Sequence, residues 1–404
     1  MNQIRNNFFK KYKTFDYIIV GGGCFGLHTA FFLSQVDNYS KILIIDKNTK
    51  ENATSNSGLG TLKYIPTFNL SKLIEFNKSI DINSIDLSWM PYFSKENMFN
   101  MEENREKMVA LSNLNAKVLK EYGLINDSNY ISCKKTDFYS KDYFKDLKNI
   151  LQNRRNITFI DDTVLAYKTI YQRNSLLPSS YIIKTEENSY YYCDKLIITT
   201  GALVDKLLLK KSLMRGLTKP VSGYSVDLEL DNTTQIPECF YLKNNIFITP
   251  IDKANRIVRI TCKIIFDKEP SSKFITDMDT KEVKNVLKLI SSNGIKWNKI
   301  ISIWRGSRPM TYDSLPFIGE EENGVYVMSG GSFIGTHFSG IFGYWLANIV
   351  NYNLNTRYNH KLIDFNIFYS RLTKSRSNTN KNIVLLILSS IALFKLYKKI
   401  KNKK

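Results

Sequence analysis

FDYIIVGGGCFGLHTAFFLSQVDNYSKILIID, residues 15–46, decides how this chain is read. Tyr17 to Val20 is a short apolar run. Gly21, Gly23 and Gly26 follow at G-x-G-x-x-G spacing, with Cys24 and Phe25 inside the turn. Phe25, Leu27, Ala30, Phe31 and Leu33 fall mostly on one helical face. Ile42 to Ile45 makes a second buried strand that ends in Asp46, with Lys47 next. The order is strand, glycine turn, helix, strand, acid, and that context specifies a dinucleotide. The first glycine permits the tight turn, the second lets backbone N–H groups approach a pyrophosphate, and the third lets the helix pack on the strand. The pyrophosphate then sits at the positive end of a helix. Asp46 is placed to accept hydrogen bonds from an adenosine ribose.

The 404 residues suffice for two or three domains, and a hydrophobic content of 43% is that of a globular chain. The formal charge of +20 invites a nucleic-acid partner. No lysine/arginine block interleaved with aromatics occurs in the body of the chain, so nucleic acid is not expected. Part of the excess is local, since Lys381 to Lys404 carries seven lysines and no acid. The five cysteines, at 24, 133, 193, 239 and 262, are widely spaced and form no C-x-x-C pair. Neither a metal site nor a disulfide framework is indicated, and a reducing, cytoplasmic compartment fits.

Beyond Asp46 the chain alternates. Residues 47–64 read as a polar loop and 66–150 as helical with polar faces. Residues 157–192 read as short strands, followed by another buried strand that ends at Thr200 and Gly201. Residues 219–265 are strand-rich and about 280–292 helical. The fold class expected is α/β: a parallel, Rossmann-like sheet plus a smaller domain with a mainly antiparallel sheet.

Five further segments resemble one family in the right order. They are TSNSGLGT (54–61), CDKLIITTGALVDKLL (193–208), KPVSGYSVDLEL (219–230), RGSRPMTYDSLPFIG (305–319) and GVYVMSGGSFIGTHFSGIFGYWLANIV (324–350). The chain so resembles the FAD-dependent oxidoreductases of the D-amino-acid oxidase (DAO) family from residue 15 to about 352. The RPMT…PFIG block is its most specific part. The resemblance implies a discontinuous FAD-binding domain at 15–62, 141–215 and 300–352. It implies a substrate domain at 63–140 and 216–299.

The resemblance also implies non-covalent FAD, because no cysteine stands at the family's attachment places. Ser55, Asn56, Ser57 and Gly58 would donate to the pyrophosphate and ribityl chain. Val164 matches the position whose backbone holds adenine. Thr200 and Gly201 would let a strand end approach the cofactor. Gly330, Gly331, Gly335 and Thr336 precede a helix whose amides would face the flavin. The implied reaction removes a hydride from a C–N bond of an amino acid or amine; the alternatives are a 2-hydroxyacid dehydrogenase on the same fold and a non-catalytic flavin-binding scaffold. Oxygen or a quinone would accept the electrons.

For the substrate, Arg308 matches the family's signature arginine; a fixed guanidinium grips a carboxylate through two parallel hydrogen bonds. The other reading pairs it with Asp313. Arg259, Tyr224 and His337 are further candidates. Their plainer readings are an exposed strand arginine, aromatic core and a polar residue at a helix start. Past Val350, residues 375–381 read as a linker, and 382–397 as a single membrane anchor. Ile383 to Tyr397 as a helix is about 22 Å long, short of the ~30 Å hydrocarbon core, with Lys381 and Lys395 placed to snorkel.

Overall fold

Tyr17 to Val20 lies between two parallel neighbours, and that is why all four residues are apolar. In the computed structural model, β1 (Lys13–Val20) pairs with β2 (Ile42–Asp46) on one side and β6 (Tyr190–Ile198) on the other. Tyr17 and Ile19 point into one core and Ile18 and Val20 into another, so neither face is left for solvent. The structure describes residues 13–47, 105–125, 140–171, 178–210, 212, 214–237, 241–243, 246–311, 314–333 and 335–351.

Among the described residues the first sheet has eight strands. Its main order is β13-β14-β6-β1-β2-β3, where β3 is Ile157–Asp161, β13 Phe317–Glu322 and β14 Val325–Ser329. From β14 to β3 every pairing is parallel, and β13 returns antiparallel. Strand β5 (Pro178–Thr185) pairs antiparallel with β6, and β4 (Val164–Tyr171) antiparallel with β5; with Val204 of helix α4 (Val204–Leu207), Leu208, Met214 and Leu217 they cover one face. The other face is covered by helices α1 (Cys24–Val36), α2 (Arg105–Glu121), α3 (Ser140–Gln152) and α6 (Ser339–Val350).

Helix α1 is buried at every position from Phe25 to Ser34, not on one face as its spacing suggests. It is enclosed by the sheet, α3 and α6 together. A helix apolar all round is a buried helix.

The second sheet has six strands, all antiparallel, in the order β11-β12-β7-β10-β9-β8. Its members are β7 (Lys219–Leu230), β8 (Tyr241–Lys243), β9 (Ile246–Asp252), β10 (Ile257–Phe266), β11 (Ser272–Phe274) and β12 (Trp297–Met310). Helix α5 (Lys281–Ser292) lies on one face, capped by Thr280, whose hydroxyl accepts from Val283 N at 3.3 Å. Tyr224, Val226, Leu228, Val258, Ile260 and Ile303 meet Val283, Val286 and Ile290 beneath it. The sheet runs on to Met310, so the expected division at 299/300 falls inside β12. Helix α2, expected in the substrate domain, packs with α1 and α6 against the parallel sheet.

Among the described residues no helix is long and apolar enough to cross a membrane. The expected linker and anchor at 375–397 lie outside those residues. So do Ser55, Asn56, Ser57, Gly58 and Asp313.

Candidate active site

The strand ends β1, β2 and β6 meet at one edge of the parallel sheet, and the glycine turn is tied to all of them. Gly21 N donates to Ile45 O at 2.8 Å, and Thr199 N donates to Val20 O at 2.8 Å. Gly21 has φ +105°, and a Cβ there would stand 2.6 Å from Thr199 O. At Gly26 a Cβ would stand 1.8 Å from Gly21 O and 2.8 Å from Thr199 Oγ1. The first and third glycines therefore do what the spacing demands: one turns the chain, the other seats α1 on the strand. Gly23 is the N-cap of α1 and no side chain caps it, which leaves the first amides of the helix for a ligand.

Asp46 adds a contact the sequence did not show. Its Oδ2 accepts from Gly22 N at 2.5 Å, which fixes the carboxylate beside the turn. Lys47 is exposed in the turn beyond. Asp162 N donates to Asp46 O at 3.1 Å, so the start of β4 at Val164 runs past the same edge.

Thr200 and Gly201 end β6 next to the glycine turn. A Cβ at Gly21 would be 3.1 Å from Thr200 Cα. The Thr200 hydroxyl is buried with no hydrogen-bond partner among the described residues. Gly201, at φ +58°, has open space where a Cβ would point, and its carbonyl accepts from Ser329 Oγ at 3.0 Å. That contact leads to the loop after β14. A Cβ at Gly331 would stand 2.9 Å from Gly335 Cα and 3.2 Å from the Phe25 ring. Phe25 also meets Phe342 of α6, with ring centroids 6.3 Å apart. Thr336 and His337 follow in a 3-10 turn, His337 buried. The two glycine segments, three hundred positions apart in sequence, thus close on one another through Phe25.

The RPMT segment is stitched to that loop. Ser332 N donates to Pro309 O at 3.0 Å, and Thr311 N to Ser332 Oγ at 3.3 Å. Arg308 is half-buried, with its guanidinium 5.8 Å from the Phe333 ring centroid. Burial pushes its pKa down to about 10, so it stays cationic at neutral pH. Among the described residues no carboxylate pairs with it.

The other two candidates are engaged within the sheet, Tyr224 on the α5 face and Arg259 on the same face as Arg308. Tyr224 is on the face turned to α5, opposite to Arg308, because side chains alternate along the strand. It is core, with the Arg305 guanidinium 5.9 Å from its ring, and does not line the substrate side. Arg259 is buried, not exposed, and donates to Asp227 through Nε at 2.8 Å and Nη2 at 2.9 Å. The two are direct cross-strand partners. Its charge is answered inside the sheet.

A dinucleotide flavin fits these residues. An uncapped helix start, a carboxylate fixed at the second strand, an orphaned hydroxyl at Thr200 and open space at Gly201 share one edge. The amides of 21–26 would hold the pyrophosphate, Asp46 the ribose, and 330–336 the ring side.

No curated protein matches the chain in sequence. Among solved structures, glycine oxidase from Geobacillus kaustophilus is 17% identical, with a TM-score of 0.54 over 88% of this chain and 98% of that one. Iminodiacetate oxidase from Chelativorans sp. BNC1 is 14% identical, with a TM-score of 0.54 over 87% and 98%. Amadoriase I from Aspergillus fumigatus is 13% identical, with a TM-score of 0.51 over 90% and 91%. These likenesses show a shared fold. The model of the FAD dependent oxidoreductase family, DAO, matches residues 153–349, from β3 through the RPMT strand to α6. Just under half of the chain is thus similar to the DAO family of FAD-dependent oxidoreductases, in agreement with the resemblance read from its motifs.

Proposed function

We infer that this enzyme takes a hydride from the carbon that carries the nitrogen of an amino acid or related amine, with Arg308 holding the substrate carboxylate. The observation that carries the reading is the Arg308 guanidinium: half-buried, cationic, and without a carboxylate partner among the described residues. It sits on the strand whose end is hydrogen-bonded to the glycine loop. A buried charge without a partner is costly, and a bidentate carboxylate is the ligand that matches a guanidinium best.

FAD supplies the hydride acceptor. The protein supplies position and dryness. Phe333 packs on the guanidinium and shields it from water, which strengthens its grip on an anion. Pro309, Thr311 and Ser332 fix the strand end relative to the loop, so a carboxylate held at Arg308 has a set distance from the ring side. Oxygen is the electron acceptor in this reading. The expected tether at 382–397 stays part of it, supported by the apolar run alone.

The test is flavin bleaching without oxygen, using amino acids of both hands, N-methyl amino acids, simple amines and 2-hydroxy acids. Amino acids should reduce the flavin. Arg308→Ala should weaken half-saturation ~100-fold for carboxylate substrates and far less for simple amines. Equal losses for both classes would remove the arginine from the site. Reduction by 2-hydroxy acids alone would replace the amine by an alcohol as donor.

A further inference from the structure

The face of the antiparallel sheet that carries Arg308 holds a second set of donors. Gly306 of β12 and Gly223 of β7 are direct partners across the strands. A Cβ at Gly223 would stand 2.6 Å from Arg308 Nη1. A Cβ at Gly306 would stand 1.7 Å from Trp304 Cη2 and 2.3 Å from Cζ2. The two glycines are a floor without side chains. The guanidinium lies over one half of it and the indole over the other.

Trp304 is 4% exposed, and its Nε1 has no hydrogen-bond partner among the described residues. The row that contains Trp304 continues through Ser225 of β7 to Thr261 of β10. Thr261 is 1% exposed and its hydroxyl is likewise without a partner among the described residues. By contrast, the face under α5 is filled with aliphatic side chains.

An indole N–H only donates, as does a guanidinium. Leaving such a donor buried and unpaired costs about 1–3 kcal/mol, so these groups are arranged for an acceptor that arrives with a ligand. One carboxylate does not serve both. The atoms of Trp304 nearest the floor are Cη2, Cζ2 and Cζ3, all on the six-membered ring. The five-membered ring, with its N–H, stands farther from that floor. An anion gripped by Arg308 leaves the indole N–H for a different oxygen.

We propose that Trp304 Nε1, on the row that also carries Thr261 two strands away, is a second polar subsite that selects substrates bearing an acceptor oxygen on the arm beyond the carboxylate. This rests on the reading of Arg308 as the carboxylate anchor. The substrate class is an amino acid whose side chain or nitrogen substituent carries a hydroxyl, carbonyl or second carboxylate. Purely aliphatic amino acids leave the donor unfilled and bind less well.

Two measurements on the full-chain, FAD-loaded protein separate this proposal from the reaction itself. The first is binding of unreactive acids, followed as a perturbation of the flavin spectrum, with butyrate set against 4-hydroxybutyrate and succinate. The acceptor-bearing acids should bind about tenfold tighter. Trp304→Phe, which keeps the ring and deletes the N–H, should bring that ratio close to one. Thr261→Val should reduce it by a smaller factor and carries the test if Trp304→Phe fails to hold flavin. A ratio unchanged by both variants overturns the subsite, as does a wild-type ratio near one or no binding of any of the acids.

The second is anaerobic reduction by N-propylglycine against iminodiacetate and N-(2-hydroxyethyl)glycine. If the flavin is reduced but the preference ignores both variants, the subsite fails and the amine reaction stands. If no amine reduces the flavin but the acid ratio collapses in Trp304→Phe, the reaction fails and the subsite stands.

Discussion

At the scale of single residues, glycine turns were legible and charges were not. Gly21 and Gly26 follow from spacing because only hydrogen fits where the strand ends and α1 touch. Tyr224 is the aromatic core residue its plainer reading made it, while Arg259 is buried on Asp227 and not exposed, because a partner depends on cross-strand register, which no local pattern reveals. His28 shows the same limit. The sequence offers a helix histidine; the structure buries it completely between Phe32, Tyr143 and Phe144. Its Nδ1–H donates to Cys24 O at 2.8 Å, so Nε2 accepts from the Tyr143 hydroxyl at 2.7 Å. Burial pushes its pKa down to about 4. The unfolded chain takes up a proton near pH 6.5 that the fold refuses, so its contribution is intact above pH 6.5 and is lost as pH falls from there to 4. The loss amounts to roughly 3 kcal/mol. Urea denaturation at pH 7 and pH 4.5 should show a larger drop for the wild type than for His28→Leu. Equal drops would show that His28 is protonated without cost.

At the scale of elements, strands were readable and the roles of helices were not. Residues 157–161, 164–171 and 257–266 form strands where apolar, β-branched runs announce them. The stretch at 66–150 reads as polar-faced, yet α2 buries Ser112 and Asn115 among its apolar residues. Asn115 Oδ1 accepts from Ile341 N at 2.9 Å and so caps the start of α6 from a distant helix. One amide expected to face the flavin is thereby taken by α2. The α1–α6 crossing is equally hidden in the sequence. A Cβ at Gly343 would stand 2.6 Å from His28 Cβ and 2.9 Å from Thr29 N, so the two backbones touch. Gly343→Leu must force them apart, at a cost of about 1–3 kcal/mol for overpacking. The urea midpoint should fall with its slope unchanged, and flavin affinity should fall with it if the glycine turn at the start of α1 holds the phosphates. A variant with wild-type midpoint and affinity would mean that the crossing yields freely.

For the whole molecule, the order of segments was legible but the join between the two sheets was not. The family blocks fix which parts of the chain build which sheet. They do not say that the last turns of β12 and the loop after β14 are one hydrogen-bonded unit. Ser332 N reaches Pro309 O at 3.0 Å, and a Cβ at Gly330 would stand 2.6 Å from Thr311 Cγ2. The same loop touches Phe25 at the start of α1. Cofactor turn, closing loop and substrate sheet therefore share contacts, and a ligand gripped by the first two braces the third. Binding to the native state alone stabilises by about 2.7 kcal/mol at a hundredfold excess over Kd. On heating, the rise of free-flavin fluorescence and the shift of tryptophan emission, to which Trp297 and Trp304 of the antiparallel sheet contribute, should share one midpoint. Added FAD should raise both together. Tryptophan emission that shifts before the flavin is released, at a midpoint indifferent to FAD, would mean that the substrate sheet unfolds independently of the cofactor-binding half.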